Sequence, residues 1–115
     1  MRLREPVNRD IVTPLPLSCE RVHGQGSKGA VRMLTKGWAR DLGPRGITVN
    51  VVQPGPVETD LNPAEGPFAE MLTGLTALKR YGQPEDVAEL VAFLAGPAAG
   101  NITGAALTTD GGMTA

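Results

Sequence analysis

The sequence predicts an α/β fold in which a parallel sheet is crossed by helices. Two observations carry this expectation. From Ser27 onward, helix and strand patterns alternate along the chain. The junctions between them are short and marked by Gly and Pro, as at Gly43-Pro44, Pro54-Gly55-Pro56 and Gly96-Pro97.

Met1 to Gly26 is poorly patterned, because Pro6, Pro14 and Pro16 interrupt any helical period. Ile11 to Leu17 has room for a short strand, although Pro14 and Pro16 cannot donate to a ladder. Ser27 to Leu42 reads as a helix with Ser27 as its N-cap. Its apolar arc, Ala30, Val31, Met33, Leu34, Gly37, Trp38 and Leu42, is wide enough for burial against two neighbours. Gly46 to Val52 follows as a strand. Ile47, Val49 and Val51 form one face, and Thr48 and Val52 on the other suit a strand covered on both sides.

A short helix is expected around Phe68, Met71, Leu72 and Leu75 within the mixed segment Asn62 to Gly82. Pro84 opens the next helix, with Glu85 and Asp86 in its first turn, and Gly96-Pro97 ends it. Ala105 to Thr109 is the last strand, followed by Asp110-Gly111-Gly112. Sites in such sheets lie beyond the carboxyl ends of the strands, here Gln53 to Asp60 and Asp110 to Gly112.

At 115 residues the chain makes one domain at most, and 41% hydrophobic with 20% charged residues suits a globular protein. A net charge of −1 argues against nucleic-acid or membrane surfaces, which need clustered positive charge. Leu90 to Ala95, the longest apolar run, is too short to cross a bilayer. Met1 to Pro6 is charged where a secretory signal would turn apolar. Cys19 is the only cysteine, so no internal disulfide forms and a cytoplasmic setting is expected.

Several segments resemble a known family. Ser27-Lys28-Gly29-Ala30-Val31 resembles the start of the helix that carries the active-site lysine in short-chain dehydrogenases/reductases. Arg45 to Val52 followed by Pro54-Gly55-Pro56-Val57-Glu58-Thr59 resembles the penultimate strand and nicotinamide loop of that family. Arg80 to Ala88 resembles its late helix, and Ile102-Thr103-Gly104 with Asp110-Gly111-Gly112 its last strand and terminus. The order and spacing hold from Ser27 to Gly112, with a flavour of the 3-oxoacyl-carrier-protein-reductase-like branch.

The resemblance implies a partial Rossmann-like, doubly wound parallel sheet: the C-terminal half, with the first βαβ units missing. Residues 1–26 would be an irregular segment and 27–115 the C-terminal part of the domain. It implies NAD or NADP as cofactor and a small carbonyl or alcohol substrate. Lys28 takes the place of the family lysine, which lowers a tyrosine pKa and holds the nicotinamide ribose. Pro54, Gly55, Val57 and Thr59 take the cofactor-loop positions, Val57 through its backbone and Thr59 through its hydroxyl. Ser18 is the candidate for the family serine. No metal is expected.

The departures are specific. The family tyrosine stands four residues before the lysine, where this chain has Gly24. At the family spacing the serine position falls near Ile11, which has no hydroxyl. No glycine-rich dinucleotide loop precedes Ser27. His23 has a suitable pKa for an acid, but nothing in the pattern fixes its geometry. Tyr81 lies just before the late helix and reads as packing, and Asn50 as a partner for a neighbouring backbone group. The chain alone is therefore expected to be inactive and a poor holder of the cofactor.

Two alternatives stay open: a non-catalytic oligomerising partner of a full-length relative, and a mis-started or frameshifted gene product. A homo-oligomer or pairing with a related chain is expected. Without further strands, Val49, Val51 and Val52 with Val31, Leu34 and Trp38 are expected to be incompletely buried.

Overall fold

The computed structural model describes residues 11–14 and 23–115. They form β1 (Ile11–Pro14), α1 (His23–Leu42), β2 (Val49–Pro54), α2 (Pro67–Leu75), α3 (Pro84–Ala95) and β3 (Ala106–Thr109). Short 3-10 turns follow α1 and α3, at Gly43–Arg45 and Pro97–Ala99. The strands make one sheet in the order β1-β2-β3, and both pairings are parallel. Ile11 lies opposite Val49 on one side of β2, and Val51 lies opposite Ala106 on the other.

β2 is the centre of the packing. Val49, Asn50, Val51 and Val52 are all buried, which requires cover on both faces of the sheet. Val52 packs with Leu94 of α3 and Ala99, and Val87, Leu90, Val91, Ile102 and Leu107 close around them. Strand side chains alternate between faces, so Val49 and Val51 point the other way. The helix packed against β2 there is α1, whose buried residues are Thr35 and Ala39. Helices thus lie on both faces, and the chain is a three-stranded portion of a doubly wound sheet.

The turn before β3 is stitched to β2 by Asn50. Its Nδ2 donates to the Ile102 carbonyl at 2.9 Å, and its Oδ1 accepts the Ala105 N–H at 3.1 Å. The backbone adds Gly104 N–H to Val49 O at 2.7 Å, and Thr103 Oγ1 accepts the Val49 N–H at 3.0 Å. At the start of α3, the Asp86 carboxylate accepts the Gln83 N–H and a bond from Arg80. These bonds, the Gln83 one foremost, hold Asp86 below the usual carboxylate range.

Three expectations need correction. α1 begins at His23, so Ser27 lies inside the helix rather than capping it. Gly24 and Gly26 weaken a helix without stopping it, and no proline stands between Pro16 and Pro44 to break it. β2 starts at Val49 rather than Gly46, because Gly46 is left-handed at φ 73° and closes the preceding 3-10 turn through its N–H to Gly43 O. Pro54 closes the strand, at its last register position. Val49, Val51 and Val52 are fully buried, because β1 covers the edge of β2 that was expected to lie open. Leu34 and Trp38 do remain exposed, at 48% and 41%. Tyr81 is buried, its hydroxyl 3.4 Å from Asn62 Oδ1, in keeping with a packing role.

Asn50→Ala would leave the Ile102 carbonyl and the Ala105 N–H without this partner. The expected cost is about 2–4 kcal/mol of unfolding free energy, read from urea denaturation. A loss below about 1 kcal/mol would mean that solvent reaches the turn and satisfies both groups.

Candidate functional site

The carboxyl ends of β2 and β3 open together, the position where doubly wound sheets bind ligands. A cleft of about 370 Å³ lies there. Gln53, Pro54 and Gly55 reach it from the end of β2, and Thr108 and Asp110 from β3. Lys28 and Arg32 enter from α1, and Met113 and Thr114 from the turn after β3. Lys28 and Arg32 are one helical turn apart and so share a face of α1. Gly24 sits one turn before Lys28 on the same helix. A phenol at that position would stand beside the lysine, but glycine offers no proton.

Gly55 is in the cleft because nothing larger fits. A Cβ added there would lie 2.5 Å from Asp110 Cα and 2.6 Å from its Cβ. The Gly55 N–H continues the ladder to Thr109 O at 3.1 Å. Asp110 in turn organises the turn after β3. Its Oδ1 accepts the Gly112 N–H at 2.9 Å, and its Oδ2 accepts the Thr114 N–H at 2.9 Å and the Thr114 hydroxyl at 2.7 Å. Partial burial pushes the carboxyl upward, but the bonds from the Thr114 hydroxyl and the Gly112, Thr114 and Met113 amides outweigh it. The Asp110 pKa therefore lies below its ordinary value.

The structure brings Lys28, Pro54 and Gly55 into one cleft. Val57 and Thr59 lie beyond it. Val57 forms a parallel bridge with Gly82, and its carbonyl accepts Asn62 Nδ2 at 3.0 Å. Thr59 Oγ1 accepts the Asn62 N–H at 3.1 Å, and Thr59 borders a second, open depression with Glu58, Asp60 and Glu85. Ser18 lies outside the described residues. Gln53 and Asp110 fall in the strand-end segments expected to hold the site, whereas Arg32, Thr108, Met113 and Thr114 are not expected from the sequence. Two of them were within reach of simple periodicity: Arg32 is one turn from Lys28, and Thr108 is on the same strand face as Asp110.

Residues 20–114 match the family model described as Enoyl-(Acyl carrier protein) reductase. The chain belongs to the short-chain dehydrogenase/reductase family. It is 61% identical over 85 residues to the cyclic-di-GMP-binding biofilm dispersal mediator protein of Escherichia coli K12, covering 74% of this chain and 36% of that one. It is 47% identical over 88 residues to a 3-oxoacyl-[acyl-carrier-protein] reductase of Synechocystis, covering 76% of this chain and 35% of the relative. Among solved structures, a short-chain dehydrogenase/reductase from Serratia marcescens superposes with a TM-score of 0.85 at 53% identity, covering 92% of this chain and 46% of the other. The NADPH complex of BdcA superposes at 0.80 with 50% identity, covering 90% and 45%. The chain spans about a third of the length of the curated relatives it matches.

The Asp110 carboxyl gives this dehydrogenase-family chain a testable pH dependence. A depressed folded pKa means stabilisation that is present above the unfolded value, about 3.9, and lost as pH falls through the folded one. Lys28 and Arg32 line the same cleft. The Gly112 and Thr114 amide NMR signals should therefore titrate below the ordinary carboxylate range, and Asp110→Asn should abolish the step. Titration at or above the ordinary value would contradict the bonding described.

Proposed function

We propose that residues 27–115 form the nicotinamide-facing, carboxyl-terminal part of an NAD(P)-linked oxidoreductase acting on carbonyl or alcohol substrates. The carrying observation is the convergence of Lys28 with the Pro54–Gly55 backbone at the ends of β2 and β3. The NADPH complex of BdcA and the NADP complex of a Burkholderia cenocepacia short-chain dehydrogenase support the choice of cofactor class.

The donor set suits the nicotinamide end of such a cofactor. Gly55 carries no side chain to fend it off, and the Val57 N–H has no hydrogen-bond partner among the described residues. The Val57 carbonyl is engaged by Asn62, so Asn62 would have to release it for a two-point contact with a carboxamide. Lys28 would hold the ribose, and Thr59 would offer its hydroxyl proton, since its oxygen already accepts from Asn62. Bound there, the cofactor would supply or accept the hydride. The chain's own residues position it but provide no acid at position 24, and Ser18 remains the proposed hydroxyl partner. With a single cysteine, the protein suits a reducing cytoplasmic setting.

The chain alone is expected to show no carbonyl-dependent oxidation of NADH or NADPH by absorbance. Addition of a relative's amino-terminal part, with its glycine-rich loop and tyrosine, should give oxidation that Lys28→Ala abolishes. Turnover by the chain alone that depends on Lys28 would place the general acid elsewhere.

A second reading, a non-catalytic partner of a full-length relative or of a second copy, is favoured by the outer face of α1. Met33 is 67% exposed there, beside Leu34 and Trp38. An apolar face of this kind marks an association surface. Sedimentation should show self-association or capture of the relative, weakened by Trp38→Lys. A dilute monomer indifferent to both would exclude this reading.

A further inference from the structure

We propose that Asp110, with Thr114, is the positioning residue of the Pro54–Gly55 loop: the turn after β3 acts as a latch that sets how closely this loop approaches the cofactor. The proposal rests on the nicotinamide reading above for its ligand, but the latch itself stands on separate geometry.

Gly55 is seated against the Asp110 backbone, not its carboxylate. The Asp110 Cα and carbonyl oxygen would lie 2.5 and 3.0 Å from a Cβ on Gly55. Whatever fixes the Asp110 backbone therefore fixes the loop. The carboxylate does so by folding the chain back on itself through Gly112 and Thr114. Both oxygens accept here, an arrangement that favours the ionised carboxylate.

The far side of the turn is pinned as well. The Leu78 N–H donates to Gly111 O at 3.0 Å. Gly111 and Gly112 have φ of 63° and 79°, and a Cβ on Gly112 would lie 2.7 Å from Ala77 Cβ. The turn is therefore wedged between the cofactor loop and the linker that joins α2 to α3. Asp110, which lines the cleft itself, would control the loop through main-chain contact.

The test uses the full chain with three variants. Asp110→Asn replaces one accepting oxygen with a donor, so the N–H of either Gly112 or Thr114 loses its acceptor. Thr114→Val removes only the hydroxyl bond, and Thr114→Ser keeps it. Hydrogen exchange at the Gly55 amide, which bonds Thr109 at the loop's base, reads the seating directly. Asp110→Asn and Thr114→Val should speed Gly55 exchange about tenfold or more, a size set by loss of a bond to a charged group. Exchange in α3 should stay unchanged, and Thr114→Ser should behave as the parent. NADPH titration followed by amide shifts supplies the second readout, with weaker binding expected in the first two variants.

Unchanged Gly55 exchange in both Asp110→Asn and Thr114→Val would overturn the latch. Equal acceleration in α3 would also overturn it, as general loosening. Absence of even a weak NADPH-dependent shift at the Gly55 and Val57 amides of the parent would sink the cofactor reading, while the Gly55 exchange would still decide the latch.

Discussion

The burial of four consecutive residues in β2 is the constraint on which the rest of the chain depends. Val49, Asn50, Val51 and Val52 cannot all be dry unless the strand has neighbours on both edges and helices on both faces. β1 and β3 provide the edges, and α1 and α3 provide the faces. Asn50 is the one polar member of the run, and it is tolerated because the turn before β3 satisfies both ends of its amide. The same pairing aligns the carboxyl ends of β2 and β3. The cleft therefore follows from the core rather than being added to it.

Cover is uneven outside that strand. Val52 and Leu94 lie at the centre of a closed cluster, whereas Met33, Leu34 and Trp38 on α1 and Phe68, Met71 and Leu75 on α2 face outward. Full burial of such a side chain contributes roughly 1.5–3 kcal/mol. A few of them left in water compare with the whole stability of a small domain, about 5–15 kcal/mol. The sequence pattern already held this asymmetry, since the apolar arc from Ala30 to Leu42 is wider than one sheet contact can use. The sheet takes a different strip of the helix: Thr35 and Ala39, outside that arc, lie inward, and Met33, Leu34 and Trp38 of the arc remain outside.

What was legible in the sequence was local. Apolar spacing and Gly/Pro junctions locate α3 and β3 to within a residue or so, because their ends are made by the residues at those ends, and the spacing from Phe68 to Leu75 marks α2 without fixing its bounds. The start of α1 differs because Ser27 resembles a cap, while Gly24 and Gly26 weaken a helix without ending it. The start of β2 was misread because the strand-forming residues Ile47 and Thr48 are still leaving a left-handed turn at Gly46. In the cleft, Lys28, Pro54 and Gly55 were legible through contiguous motifs. Thr108, Met113 and Thr114 were not, since their membership depends on parallel pairing between segments far apart in sequence.

That division also bears on the proposed cofactor-facing reading of the cleft. A dinucleotide has two ends, and in a doubly wound sheet its pyrophosphate rests on a glycine-rich turn in the first βαβ unit. No such turn precedes Ser27 here. The nicotinamide end makes different demands: a close backbone approach, a cation and a stiff loop. In the proposed reading, Gly55, Lys28 and Pro54 would meet them from the ends of β2 and β3 and from α1. These three elements hold one another through the Val49–Val52 core and the Asn50 stitch, without help from any strand beyond β1. The geometry of the cleft is thus a property of this part of the sheet.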